Sequence, residues 1–186
     1  MRNALRNKTI ISILARTPRN TIKDLIRGAN AEETPIIRAM PTIGTEIHES
    51  ATLIGPPTTP AEKEALSLAT WIFNQVGKVF HVSDYFDTAT GLSAFANALT
   101  TVATQVITQK ALEEGVPVDH AVAITAQCIR GSASMMLAGT SPEQLERSLS
   151  APGSITGQAI GRLRDSELRG TLEDTLAKAI ARARDY

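Results

Sequence analysis

Residues 88–115 read TATGLSAFANALTTVATQVITQKALEEG. The stretch is rich in alanine and threonine, and it holds no charge before Lys110. Its pattern predicts one long helix over about residues 88–114, stopped by Gly115. A helix with one face in water carries charge on that face. This one must be covered on nearly all sides, which a domain of about 100 residues has difficulty doing alone. A helix at the centre of a monomeric bundle would answer the need. A second copy of the chain answers it with less mass, and two-fold pairing is the commonest arrangement. A homodimer is therefore the expectation.

Downstream of this helix the pattern is helical throughout. Pro117 opens a helix that runs to about Leu137, before Gly139. Ser141-Pro142-Glu143-Gln144 offers a cap, a proline for the first turn and a side chain that can bond back to the cap. Ser150-Ala151-Pro152-Gly153-Ser154 breaks the pattern, and helices follow over about 155–163 and 168–184. Upstream the pattern is mixed. Ile10–Leu14, Pro35–Pro41, Ala51–Ile54 and Lys78–Val82 read as strands, and Thr21–Arg27 as a short amphipathic helix. Thr59-Pro60-Ala61-Glu62 starts a helix to about Gln75, with Thr59 as cap and Glu62 bonding back to it. Ala65, Leu68, Ala69, Ile72 and Phe73 form its expected buried face. The expected fold class is mostly α, with a small α/β part over residues 1–82 and an all-helical part over 83–186.

The 186 residues are 42% apolar, enough to build a core. The 19 basic and 19 acidic residues cancel, so no overall field draws nucleic acid or an anionic membrane. Arg2, Arg6, Lys8, Arg16, Arg19, Lys23 and Arg27 make the first 30 residues basic, which admits a presequence. The apolar run Thr9–Leu14 inside them reads instead as a buried strand. No apolar stretch nears the roughly 18–20 residues that span a bilayer. The single cysteine, Cys128, falls in an apolar helical pattern and is expected in the core. A cytoplasmic location is expected. His48, His81 and His120 show no metal-ligand spacing, so no metal is expected.

Several strings, in order and spacing, resemble pyrroline-5-carboxylate reductases. Ile36-Ile37-Arg38-Ala39-Met40-Pro41 resembles the strand before that family's Met-Pro-Asn-Thr-Pro turn. Gly91-Leu92-Ser93 resembles the start of its Leu-Ser-Gly-Ser-Gly-Pro-Ala-Tyr stretch, and Glu114-Gly115-Val116-Pro117 its Gly-Leu-Pro helix end. Ala126-Gln127, Met135-Met136-Leu137, Leu168-Arg169-Gly170 and Arg182-Ala183-Arg184 also match. Ser150-Ala151-Pro152-Gly153-Ser154-Ile155-Thr156 resembles its Ser-Ser-Pro-Gly-Gly-x-Thr substrate loop. The resemblance implies a helical dimerisation domain, preceded by a truncated remnant of a Rossmann-like sheet.

The departures bear on chemistry. No Gly-x-Gly-x-x-Gly turn occurs in this sequence, so the chain alone is expected to bind no NAD(P)H and to use no cofactor. Thr42-Ile43-Gly44 stands for Asn-Thr-Pro, and Ala94-Phe95-Ala96-Asn97-Ala98-Leu99 for Gly-Ser-Gly-Pro-Ala-Tyr. Ser154 stands for the loop's second glycine. Arg130 and Ser134 stand where the family has an apolar residue and a lysine. A mere fragment of a reductase would keep the first two stretches intact.

The resemblance makes Ser150, Gly153, Ser154 and Thr156 the candidate substrate-binding residues, with Thr156 touching the substrate. Read from the string alone, these hydroxyls can equally serve as helix caps and turns. Arg130 adds an anion-binding candidate, or a charge paired across a dimer, or a surface arginine lying along its helix. Asp84 and Tyr85 join Thr156 as catalytic candidates, with His81 and Asp87 nearby, against the alternative of a solvated strand end. Two functions follow. One is non-redox cyclisation, isomerisation or dehydration of an imine or enamine-type small molecule in a pocket of the dimer. The other is a non-catalytic dimerisation module that partners a full-length reductase.

Overall fold

Branched apolar residues in alternation make strands of Ile10–Ser12 (β1), Ile36–Met40 (β2), Ser50–Ile54 (β3) and Gly77–His81 (β4). The computed structural model describes residues 8–26 and 34–185. Arg2, Arg6 and Arg27 of the basic stretch lie outside the described residues. Helix Arg19–Leu25 (α1) connects β1 to β2, and helix Pro60–Asn74 (α2) connects β3 to β4. Both connected pairs run parallel, as crossovers through a helix allow. Ile10 stands opposite Ile36 and Ser50 opposite Gly77, while β2 and β3 run antiparallel with Ala39 opposite Ile54. The sheet order is β1-β2-β3-β4.

The chain divides into two units, residues 1–95 with 176–186, and residues 96–175. In the first, β2 is buried on both faces. Ile37, Ala39 and Ile54 pack with Ala69 and Phe73 of α2, while Ile36 packs with Ile22 and Ile26. Of the expected buried face of α2, Ala69 and Phe73 are buried and Ala65 packs against the core, but Leu68 and Ile72 are not covered. Glu62, Ala69 and Phe73 point inward with Leu66 and Val76 beside them, while Leu68 is exposed and Ile72 partly so. Residues 43–47, expected as loop, form a 3-10 turn (Ile43–Ile47), closed by His48 in the left-handed region at φ 60°. The His48 Nδ1–H donates to the Gln75 carbonyl at 2.8 Å.

Helix Phe86–Glu113 (α3) begins two residues earlier than expected, because Phe86 buries against Leu53 and Val82. It meets helix Leu168–Arg184 (α7) at Gly91. A Cβ there would lie 2.7 Å from Ile180 Cα and 2.8 Å from its nitrogen. Gly91→Ala gains about 1 kcal/mol of helix propensity. Backbone against backbone cannot yield cheaply, so a net loss of about 1–3 kcal/mol is expected, read as a lower urea midpoint. An unchanged or higher midpoint would show that the two helices do not hold this approach.

The second unit holds the rest of α3, helices Val118–Leu137 (α4), Pro142–Leu149 (α5) and Ile155–Arg164 (α6), and the start of α7. The two cap signals end differently. At α5 the reciprocal pair forms, with the Gln144 N–H on Ser141 Oγ at 3.2 Å and the Ser141 N–H on Gln144 Oε1 at 2.9 Å. At α2 only the Thr59 half forms. Within the single chain α4 buries only Ala121 and Thr125. Cys128, expected in the core, is exposed. Among the described residues, no helix is long and apolar enough to cross a membrane.

Candidate functional site

The loop between α5 and α6 is a turn built by Pro152 and Gly153. Proline presets φ at the second turn position, and Gly153 takes φ +76° at the third. The Ser154 N–H closes the turn on the Ala151 carbonyl at 3.0 Å. Two of its hydroxyls are committed to backbone. Ser150 donates to the Glu146 carbonyl at 2.8 Å. Ser154 caps α6, accepting from the Gly157 N–H at 2.9 Å and donating to the Leu149 carbonyl at 3.3 Å. Thr156 is exposed, and among the described residues its hydroxyl has no hydrogen-bond partner. The first-turn N–H groups of Ile155 and Thr156 are likewise unclaimed by any cap. The capping half of the loop therefore belongs to Ser154, and the free donors gather at Thr156. Arg164 of α6 pairs with Glu146 of α5, holding the loop's two stems.

Arg130 is exposed on α4, with no hydrogen bond or ion pair among the described residues. His120 is exposed near the start of the same helix. In the first unit, His81 lies 3.3 Å from Thr70 Oγ1 through Nε2, and Tyr85 is exposed. Asp84 and Asp87 are brought together along one cleft of about 550 Å³, facing Arg19, Lys23 and Arg38. His81 and Tyr85 do not line it.

Two residues in the first unit carry more than their sequence context announced. The Glu62 side chain is fully buried and collects four donors. The Thr58 N–H lies at 2.6 Å, the Thr58 hydroxyl at 2.8 Å, Arg19 Nη1 at 3.2 Å and the Ile36 N–H at 3.3 Å. Burial disfavours its charge, but the Thr58 bonds, Arg19 and Ile36 outweigh it and hold the carboxyl below its ordinary range. Arg38 sits 4.9 Å from the Phe86 ring centroid. Burial lowers its pKa, Asp87 acts against that and Arg19 adds to it. An arginine inside Ile36-Ile37-Arg38-Ala39-Met40 was the one signal in the string that could have flagged it.

A family model described as pyrroline-5-carboxylate reductase dimerisation matches residues 83–186, more than half of the chain. The chain belongs to the pyrroline-5-carboxylate reductase family. A pyrroline-5-carboxylate reductase of Lophium arboricola is 30% identical over 186 residues, covering 96% of this chain and 58% of that protein. One of Schizosaccharomyces pombe is 27% identical, covering 96% of this chain and 62% of that protein. The solved reductase of Coxiella burnetii superposes with a TM-score of 0.84 at 26% identity, covering 99% of this chain and 68% of that one. The chain thus spans about three-fifths of the length of the curated relatives it matches.

A reductase of this family needs a nicotinamide dinucleotide, and the described residues do not fit one. The connection from β1 to α1, residues 13–18, contains no glycine, so it offers neither the tight turn nor the close backbone a pyrophosphate requires. The turn after β2 is satisfied internally. The Thr42 N–H donates to Ser50 Oγ at 3.1 Å, and the Thr42 hydroxyl accepts from the Ala51 N–H at 3.1 Å. What these residues offer a ligand comes from the Thr156 end of the loop and from the charged cleft.

Proposed function

We propose that this chain acts as a homodimer joined through α3 and α4, and that pairing is the principal work of residues 83–186. The observation that carries this is the set of large apolar side chains those helices leave exposed. They are Leu99, Val102 and Val106 on α3, and Val118, Val122 and Ile124 on α4. Apolar surface on this scale is stable in water only when covered. The dimerisation-family match over the same residues supports a second copy as the cover. Light scattering at micromolar concentration tests it directly, and a stable monomer would overturn it.

A second reading is favoured by one observation, the uncommitted hydroxyl of Thr156 at the start of α6. That hydroxyl and the N–H groups beside it suit a carboxylate. The ligand in this reading is an imine or enamine-type small molecule of the kind named in the relatives, held for cyclisation, isomerisation or dehydration without hydride transfer. Thr156→Ala removes an exposed hydroxyl that caps nothing, so stability should stay within about 0.5 kcal/mol. A bond to a charged partner contributes about 1.5–3 kcal/mol. Pyrroline-5-carboxylate, used as the probe in calorimetry, should therefore bind at least about ten-fold more weakly to the variant. Equal binding by both proteins, or none by either, would leave the dimer module as the only reading.

A further inference from the structure

Four charged side chains line the cleft of the first unit without pairing. Lys23 comes from α1, Arg38 from β2, and Asp84 and Asp87 from the junction between β4 and α3. Among the described residues, none of the four makes a hydrogen bond or an ion pair. Opposite charges within reach of one another ordinarily close up. Here Asp87 acts on Arg38 through its charge, yet no ion pair forms between them among the described residues. Arg38 is fixed by its strand and by the Phe86 ring beneath it, and Asp87 by the first turn of α3. Arg19 lines the same cleft in a different state. Its terminal nitrogens are committed to Glu62, Thr58 and the Pro56 carbonyl, while its Nε is buried with no acceptor. A half-buried guanidinium with its side-chain donors unused suits an oxyanion. Asp84 and Asp87 ask for the opposite.

A lone anion in this cleft would be drawn by Arg38 and Lys23 and repelled by both carboxylates, and a lone cation would meet the reverse. A molecule carrying both charges can set each end against its opposite, so attraction outweighs repulsion. We propose that this cleft binds a small zwitterion, with its carboxylate or phosphate on Arg38 and Lys23 and its ammonium between Asp84 and Asp87. A volume of about 550 Å³ suits a small molecule. An oxyanion on Arg38 would also offset, with its opposite charge, the desolvation that lowers the Arg38 pKa. Nothing in this assignment depends on the dimer or on the Thr156 loop.

The test is a titration of the full chain followed by amide NMR. Two linear zwitterions serve as probes, γ-aminobutyrate and phosphoethanolamine, with butyrate and butylamine as single-charge controls. Saturable millimolar binding is expected for at least one zwitterion, with shifts centred on Lys23, Arg38, Asp84 and Asp87. Which one binds separates a carboxylate site from a phosphate site. Both controls should bind at least about ten-fold more weakly, since each lacks one charge-assisted contact. Arg38→Gln should abolish binding, but Arg38 is half-buried, so loss of binding in that variant alone would not separate it from loss of fold. Lys23→Gln, at a partly exposed position, and Asp84→Asn, at an exposed one, therefore accompany it. Each should weaken the zwitterion several-fold, and Asp84→Asn should not weaken butyrate. The proposal is overturned if neither zwitterion saturates, if butyrate binds as well as γ-aminobutyrate, or if the Lys23→Gln and Asp84→Asn variants both leave affinity unchanged.

Discussion

Replacing Val106 with glutamate should convert the dimer to monomer. Val106 is 65% exposed in the single chain and Val102, one turn earlier, 57%. Were α3 a free surface, a polar substitution there would change stability by no more than about 0.5 kcal/mol. If a second copy covers it, a carboxylate is desolvated with no partner, and two-fold symmetry introduces it twice. An uncompensated buried charge costs about 3–5 kcal/mol. The dimer dissociation constant should then rise at least about 100-fold. Sedimentation velocity across a micromolar dilution series reads this directly. A Val106→Glu protein that sediments like the wild type would remove α3 from the interface. A second variant, Ala98→Glu, probes the same stretch near the helix centre.

Glu62→Ala should be the most destabilising single change in the first unit. It strands Arg19, and it leaves the Ile36 and Thr58 N–H groups without their acceptor. Removing one partner of a buried pair costs about 3–5 kcal/mol. For a chain of this size that lowers Tm by roughly 6–20 °C. Glu62→Gln keeps the shape and one acceptor oxygen, so its loss should be nearer 1.5–3 kcal/mol, the worth of charge-assisted bonds. The wild type should also lose stability in acid. The folded carboxyl titrates below its ordinary value of 4.5. Its contribution is therefore complete above the unfolded-chain value and is lost as pH falls through the lower folded value. Calorimetric scans between neutral pH and pH 3 should show this loss in the wild type and a shallower one in Glu62→Gln. Parallel profiles would mean that Glu62 is not the group responsible.

Much of the architecture is legible along the chain because its signals are local. The prolines at 60 and 142, the glycines at 115 and 139, and the alternation at 36–40 each act within a few residues. They place α2, α5, the ends of α3 and α4, and β2 within a residue or two. The charge-poor run from 88 to 109 likewise carries its own message about needing cover. The turn at Ala151–Ser154 is readable from Pro152 and Gly153, whose backbone preferences are intrinsic.

The assignment of roles to polar side chains required the folded chain. Glu62 has the spacing of a capping residue, yet the same spacing at Gln144 makes the cap and at Glu62 does not. The difference is that residues 19, 36 and 58 converge on Glu62 in space, and a buried carboxylate goes to the largest set of donors available. Ser154 rather than Thr156 caps α6, because only its position before the helix lets a hydroxyl reach the Gly157 N–H. Lys23, Arg38, Asp84 and Asp87 are separated by up to 64 positions in the chain, counting from Lys23 to Asp87 as 87 − 23. No periodicity relates them. The sheet and the first turn of α3 bring them to one cleft, since hydrogen-bonded strand register, unlike sequence spacing, sets which distant residues become neighbours.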